Sequence, residues 1–585
     1  MLSFLSFRSP VSTKNVWVWG LFPCSTSERE ETMGKSREKR ALAILAGALI
    51  FTLGAAIGES PVTRVAIEAA EKIIGLEFTP AERDSMIDDV ADNLESYVKL
   101  RSVPIDNSVP PALWFDPRPV GWTAPVKRAR FALGPPERTA VPEDPEDLAF
   151  YTVRDLGELI RKRKITSTEL TKLYLARLKE HGPKLECVIT LTEERALRQA
   201  KRADEEIAAG KYRGPLHGIP YGAKDLLAVE GYKTTWGAMP YKDQVIDQNA
   251  TVIRKLDEAG AVLLAKLTLG ALAWGDVWYG GMTRNPWNLE EGSSGSSAGP
   301  AAATAAGLVP FAIGTETWGS IVSPSTRCGT TGLRPTFGRV SRTGAMALSW
   351  SMDKIGPICR TAEDCAIVFK TILGPDGTDP SVIDMPFEYR PHADFGKLRI
   401  GYTKSLFDAD YDNRTRDAAT LEVLERLGAR LVPIELPNYP VESLAFVLNA
   451  EAAAAFDDLT RSNRDDLMVR QIKAAWPNVL RSSRFIPAVE YIQANRVRTM
   501  VIREMGNIMS EIEVYVAPSF GGDNLLLTNL TGHPCVVVPN GFDDKGSPVS
   551  ITFVGRLFDE GTLLAVAKAY QDATDFHKKH PPAFE

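Results

Sequence analysis

The sequence predicts a mixed α/β fold, a central β-sheet covered by helices on both faces. Three observations predict it. KLRIGYT (397–403), the helical stretch DAATLEVLERLG and then ARLVPIEL alternate strand, helix and strand. Capping boxes open amphipathic helices at Thr166-Ser167-Thr168-Glu169 and Thr79-Pro80-Ala81-Glu82. Short apolar runs, AVLLAKL (261–267), VYVAPS and PCVVVP, have the length of buried strands. There is no internal repeat and no low-complexity tract.

Taken in order, residues 1–58 form an N-terminal extension. Met33 to Arg40 (MGKSREKR) is basic, and Ala41 to Ile57 carries no charge over 17 residues, with Gly54, Ala55 and Ala56 near its end. This is the order of a secretory signal. Its length also reaches the lower edge of a membrane span, so an uncleaved anchor is the alternative. The expected location is exported, periplasmic or secreted, or tethered through 41–57. Residues 1–32 lie upstream of such a signal, and translation is expected to start at Met33.

Residues 59–148 make a second region. In the helix capped by Thr79, Met86, Val90, Leu94 and Val98 repeat on one face. The proline-rich stretch from Val103 to Pro136 then reads as an extended arm. The third region, 149–585, is regular α/β. The Thr166-capped helix is expected through Leu178, a short helix over 250–259 is closed by Gly260, and residues 441–512 are mostly helical.

Composition bounds the function. The chain has 585 residues, 44% hydrophobic and 24% charged, with a net charge of −6. That balance favours neither nucleic acid nor an anionic surface. Six scattered cysteines without a CxxC pair argue against a zinc site or a disulfide framework. His577 and His580 read as part of a solvated charged tail.

The segment EGSSGSSAGP (291–300) is consistent with a linker, a phosphate-cradling turn or a hydroxyl that does chemistry. GPLHGIPYGAKDLL (214–227) sets Lys224 among small and apolar residues, and GTETWGSIVSPSTRCGTTGLRPTFGRVSR (314–342) surrounds Ser320 with glycine and threonine. His217 and His533 lie in HGIP and TGHP turns, where a structural role is expected. A Ser-Lys variant of nucleophilic catalysis is therefore the better chemical reading than Ser-His-Asp.

With these segments in order, together with NPWNLE (285–290) and NLTGHPCVVVPNGF, the chain resembles the amidase signature family from about Tyr151 to Tyr570. The resemblance implies that 149–585 is the catalytic domain. It also implies a Lys, a Ser preceded by a cis peptide bond, and a nucleophilic Ser, here Lys224, Ser296 and Ser320. The family interval selects Ser296, which precedes Ser320 by 24 residues, over Ser293, and the count from Asn285 agrees. Gly295 and Ser297 flank the relay serine as supporting residues. Backbone amides around Thr317, Trp318, Gly319 and Ser320 are the implied oxyanion donors.

Three positions depart from the family pattern. Glu316-Thr317-Trp318-Gly319-Ser320 stands where D-T-G-G-S is usual, Val322 replaces an arginine, and Pro300 replaces a serine. Trp318 thus stands at a position where a left-handed backbone would favour glycine.

The expected function is an exported amidase that hydrolyses a carboxamide C–N bond through an acyl-serine intermediate. Its partner is a small-molecule amide; no nucleic acid, metal or organic cofactor is expected. The rival readings are the glutaminase component of a tRNA-dependent amidotransferase, and a catalytically silent binding module on the same fold. Neither the particular amide nor the oligomeric state can be read from the residues.

Overall fold

A computed structural model of the protein describes residues 62–109, 113–124 and 130–585. The signal or anchor expected over 33–57 lies outside these residues. No described helix is long and apolar enough to cross a membrane.

The described chain divides into two units at Pro104/Ile105. The first contains helices α1 (Arg64–Ile74) and α2 (Pro80–Arg101). The Thr79 capping box forms at the start of α2, its hydroxyl accepting from the Glu82 amide and the Glu82 carboxylate accepting from the Thr79 amide. Helices α1 and α2 are joined by the Arg83–Glu71 pair at 2.7 Å. The repeat of Met86, Val90, Leu94 and Val98 does form one helical face, but no residue of α2 is buried.

The second unit begins at Ile105, so most of the proline-rich stretch belongs to it rather than to the helices before it. Asn107 Nδ2 donates to the Ala347 carbonyl at 3.0 Å, and Phe115 packs edge-on against Phe337 with ring centroids 4.9 Å apart.

Its core is one mixed sheet of eleven strands. In chain order these are β1 (Val188–Leu191), β2 (Pro220–Lys224), β3 (Val262–Leu267), β4 (Ala312–Glu316), β5 (Thr331–Arg334) and β6 (Lys354–Cys359). Then come β7 (Arg399–Thr403), β8 (Arg430–Ile434), β9 (Val514–Pro518), β10 (Cys535–Phe542) and β11 (Pro548–Gly555). Their spatial order is β1-β3-β2-β4-β6-β5-β10-β11-β9-β7-β8. Strand β2 runs parallel to β3 and β4, whereas β4, β6, β5, β10, β11 and β9 pair antiparallel in turn.

The apolar runs read as buried strands are the central ones. Strands β2, β3, β6, β9 and β11 are buried throughout, while edge strands β1 and β8 are only partly covered. Burial on both faces explains why they are continuous apolar runs rather than alternating ones. Gly222 permits the close approach of β2 to β3, because a Cβ there would stand 2.3 Å from Leu267 Cδ1.

Helices flank the sheet, among them α3 (Ser167–Leu185), α4 (Glu193–Ala208), α5 (Ala298–Ala305), α6 (Val322–Cys328), α7 (Ala362–Ile372), α8 (Ala488–Glu511) and α9 (Glu560–Thr574). Helix α3 runs beyond Leu178 because Leu185 supplies another buried turn and Pro183 falls only in the last one. The C-terminal tail is not a solvated one. His580 stacks on Phe150 at 3.9 Å between centroids, and Phe584 is fully buried.

Candidate active site

Strand β2 ends on Lys224, whose side chain is completely buried. Its Nζ lies 2.8 Å from Ser296 Oγ, 3.0 Å from Ser297 Oγ and 2.9 Å from Thr315 Oγ1. Burial holds its pKa well below that of an ordinary lysine, against the opposing pull of the Asp353 and Glu316 charges. None of the three nearest groups is a carboxylate, so no adjacent counter-charge stabilises the ammonium form.

The neighbouring Asp225 is engaged elsewhere. Its carboxylate meets Lys266 Nζ at 2.7 Å and accepts from the Thr235 amide at 2.8 Å. Successive side chains at a strand end leave on opposite faces, which separates the acid from the base.

The Gly-Ser-rich segment sorts its serines by contact. The Gly295–Ser296 peptide is cis, and Ser296 and Ser297 both face Lys224. Ser297 also donates through Oγ to the Thr315 carbonyl at 3.0 Å, and through its amide to the Ser320 carbonyl at 3.1 Å. Ser293 instead donates to the Ser294 carbonyl, and Ser294 Oγ contacts Ser323 Oγ at 2.7 Å. Pro300 sits within the first turn of α5, where its missing N–H costs no helical bond.

Residues 317–321 join β4 to α6. Glu316 fastens both ends of this turn: its Oε2 accepts from the Ile321 and Val322 amides at 2.8 and 3.0 Å. Its other oxygen takes Arg334 Nη1 at 2.7 Å and Asn529 Nδ2 at 2.9 Å. Burial alone would raise this carboxyl, but Arg334 and the donated hydrogen bonds hold it at about 2. Thr317 Oγ1 donates to Asp353 Oδ1 at 2.6 Å.

The left-handed residue of the turn is Gly319, with φ of 81°, so Trp318 is spared that conformation. Trp318 is 44% exposed and Ser320 8% exposed. The amides of Trp318, Gly319 and Ser320 and the Ser320 hydroxyl have no hydrogen-bond partner among the described residues.

The histidines stand apart from this cluster. His217 Nδ1 accepts from the Arg213 amide at 3.1 Å. His533 meets Thr531 Oγ1 at 2.8 Å, and burial beside Arg334 holds its pKa at about 3.

Sequence reasoning misses Thr315, Asp353 and the role of Glu316 with Arg334. Thr315 and Glu316 lie inside the GTETWGS motif, where a buried acid flanking the turn shows only as a departure from the family pattern. Arg334 and Asp353 carry no spacing signal, because their roles exist only after β5 and β6 pair beside β4.

Comparisons with known proteins agree on the class. The sequence profile of the Amidase family matches residues 169–526. The chain is 36% identical over 478 residues to the A component of the glutamyl-tRNA(Gln) amidotransferase of Roseiflexus sp. (strain RS-1), covering 74% of this chain and 98% of that protein. The structure resembles the native peptide amidase from Stenotrophomonas maltophilia at 30% identity and a TM-score of 0.67, covering 75% of this chain and 100% of that one. The corresponding glutamyl-tRNA(Gln) amidotransferase component from Thermotoga maritima superposes with a TM-score of 0.61 at 26% identity, over 74% and 96% of the two chains. The chain belongs to the amidase signature family, enzymes that hydrolyse amide C–N bonds.

Proposed function

We propose that the protein hydrolyses the C–N bond of a small carboxamide through an acyl-Ser320 intermediate, with Ser296 as proton relay and Lys224 as base. The observation that carries this reading is the buried Lys224 amine 2.8 Å from Ser296 Oγ without a carboxylate beside it. A neutral amine accepts the Ser296 proton while Ser296 accepts that of Ser320, and the Ser320 oxygen bonds to the carbonyl carbon. The oxyanion falls to the unpartnered amides of Trp318, Gly319 and Ser320. Returning the proton by the same path expels ammonia or an amine, and water then cleaves the ester.

An unperturbed lysine has a pKa of ~10.4 and is almost wholly protonated at neutral pH, so the base role requires a large downward displacement. The complete burial of Lys224 acts in that direction. Ser297 and Thr315 fix the amine's position.

A second reading, a glutaminase that passes ammonia to a partner protein, is favoured by the chain's similarity to glutamyl-tRNA(Gln) amidotransferase A components. Purified protein assayed on glutamine and on a panel of simple amides separates the two. Turnover of simple amides by the chain alone supports the amidase, whereas activity on glutamine only in the presence of a partner protein supports the amidotransferase. The proposed location is export, or tethering through 41–57, and it rests on the sequence of 33–57 alone.

A further inference from the structure

We propose that Asn107, on the arm ahead of the catalytic domain, sets the length of acyl chain the site accepts by closing a cavity beside Lys224 and Ser320. The inference rests on the amidase reading and specifies its substrates as short, neutral amides.

The cavity has a volume of about 250 Å3. Three of its lining residues border the catalytic cluster. Thr315 holds Lys224 Nζ at 2.9 Å, Thr317 opens the turn that carries Ser320, and Ala273 belongs to the loop that presses on the Gly295–Ser296 peptide. That loop comes so close that a Cβ on Gly295 would stand 1.8 Å from the Gly275 carbonyl oxygen. A group extending from a carbonyl carbon at Ser320 past Thr317 enters the cavity.

Its wall recognises size rather than charge. Leu226, Met346, Leu348 and Ile355 give it apolar surface. The charged groups on the wall are already engaged. Arg342 meets Asp379 at 3.4 Å, Asp353 accepts from Thr317 Oγ1 and the Leu348 and Ser349 amides, and Lys354 donates to the Met352 carbonyl. Sites for drug-sized ligands span about 300–1,000 Å3, so this one suits a smaller group.

The closing residue comes from outside the segment that carries the family likeness, since Asn107 precedes residue 169, where the Amidase profile begins. Its half-buried side chain lines the cavity and makes three hydrogen bonds. Nδ2 donates to the carbonyls of Ala347 at 3.0 Å and Ala455 at 3.2 Å, and Oδ1 accepts from the Ala347 amide at 2.8 Å. Ala347 is part of the cavity wall and Ala455 ends the helix Phe446–Ala455. One carboxamide thus clamps the arm to two segments remote in sequence, using the donor and acceptor that Asn carries together. Asp106 holds the arm's own turn, its Oδ1 accepting from the Ser108 amide at 2.9 Å and hydroxyl at 2.6 Å. In an open apolar groove each further methylene buried raises kcat/KM, whereas a fixed wall reverses that gain once the cavity is filled.

The test measures kcat/KM over unbranched primary amides from propanamide to octanamide. Wild type is expected to turn over octanamide about tenfold or more below butanamide. Asn107→Ala is expected to raise the octanamide-to-butanamide ratio by about tenfold or more, whereas a merely structural role would lower both rates and leave the ratio where it was. Values that rise through to octanamide in wild type, or a ratio unmoved in Asn107→Ala, overturn the proposal while leaving Ser320 acylation and the amidase reading intact. Should Asn107→Ala fail to fold, Asn107→Ser, which keeps a short hydrogen-bonding group, makes the same comparison. Failure to turn over any of these amides, with Ser320 never acylated, overturns the amidase reading and this proposal with it.

Discussion

The amide of Ser297 donates to the carbonyl of Ser320 over 3.1 Å, tying the segment that holds Ser296 to the turn that holds Ser320. Two loops remote in sequence are thereby fixed to each other by backbone, and Ser297 Oγ carries the link on to Lys224 and Thr315. A proton path needs this fixed geometry, because displacements of an ångström cost orders of magnitude in rate.

The contacts of the serines predict their ranking. Ser296→Ala removes the hydroxyl that meets Lys224, the proposed relay, and is expected to cost several kcal/mol of transition-state stabilisation, about a thousandfold or more in kcat/KM. Ser293→Ala loses one hydrogen bond to the Ser294 carbonyl, worth about 1 kcal/mol of stability, and leaves turnover within a few-fold of wild type. Steady-state kinetics on one simple amide checks both. A larger loss in Ser293→Ala would mean that the first Gly-Ser-Ser serves the chemistry, and equal losses would likewise contradict the assignment of Ser296.

Glu316 predicts a stability effect. Its carboxylate is buried with Arg334 and closes the turn that holds Ser320 through two amides. Glu316→Gln leaves Arg334 without its counter-charge, and losing one partner of a buried pair costs about 3–5 kcal/mol. A fall in melting temperature, with activity lost in parallel, is expected. An unchanged melting temperature would show that the pair contributes little. The group's folded pKa of about 2 is below the usual carboxyl value, so its stabilisation is present above that usual value and is lost as pH falls toward 2.

Much of this site is legible in the sequence, and the reason is local spacing. Lys224, Ser296 and Ser320 sit in motifs whose intervals survive folding unchanged, and the buried strands show as apolar runs. The exposed face of α2 is not legible, because a regular apolar repeat specifies a helix without specifying what covers it. The C-terminal histidines mislead for the opposite reason: charge around them signals solvent, while Phe150 and the buried Phe584 hold the tail against the second unit. Asp353 depends on a tertiary neighbour, Thr317, that no interval encodes.

Lys354 predicts a pH dependence of stability. It is buried, lies opposite Glu316 in the β4–β6 ladder, and burial holds its pKa well below that of a free lysine. The unfolded chain binds a proton there up to about pH 10.4, so stability rises with pH between the depressed value and that limit, by about 1.4 kcal/mol per unit of difference. Lys354→Met is expected to flatten the rise in melting temperature with pH below about 10.4. Identical slopes in both proteins would mean that Lys354 is charged in the folded state.

The N-terminal sequence predicts processing. The mature protein is expected to lack residues up to about 56, or to fractionate with membranes through Ala41–Ile57, as the basic-then-apolar order indicates. Cell fractionation with N-terminal sequencing checks it. A cytosolic protein retaining residue 33 onward would contradict export and strengthen the amidotransferase reading.

The account turns on a neutral Lys224, and the pH dependence of kcat/KM for a neutral simple amide tests that most directly. Burial lowers the lysine's pKa, the base form exists above it, and so the rate rises with pH through that value. The expected profile is a single rising limb at pH values well below the ~10.4 of free lysine, and it disappears with activity in Lys224→Ala. A profile that is flat across this range, or full activity in Lys224→Ala, would contradict the assignment of Lys224 as the base.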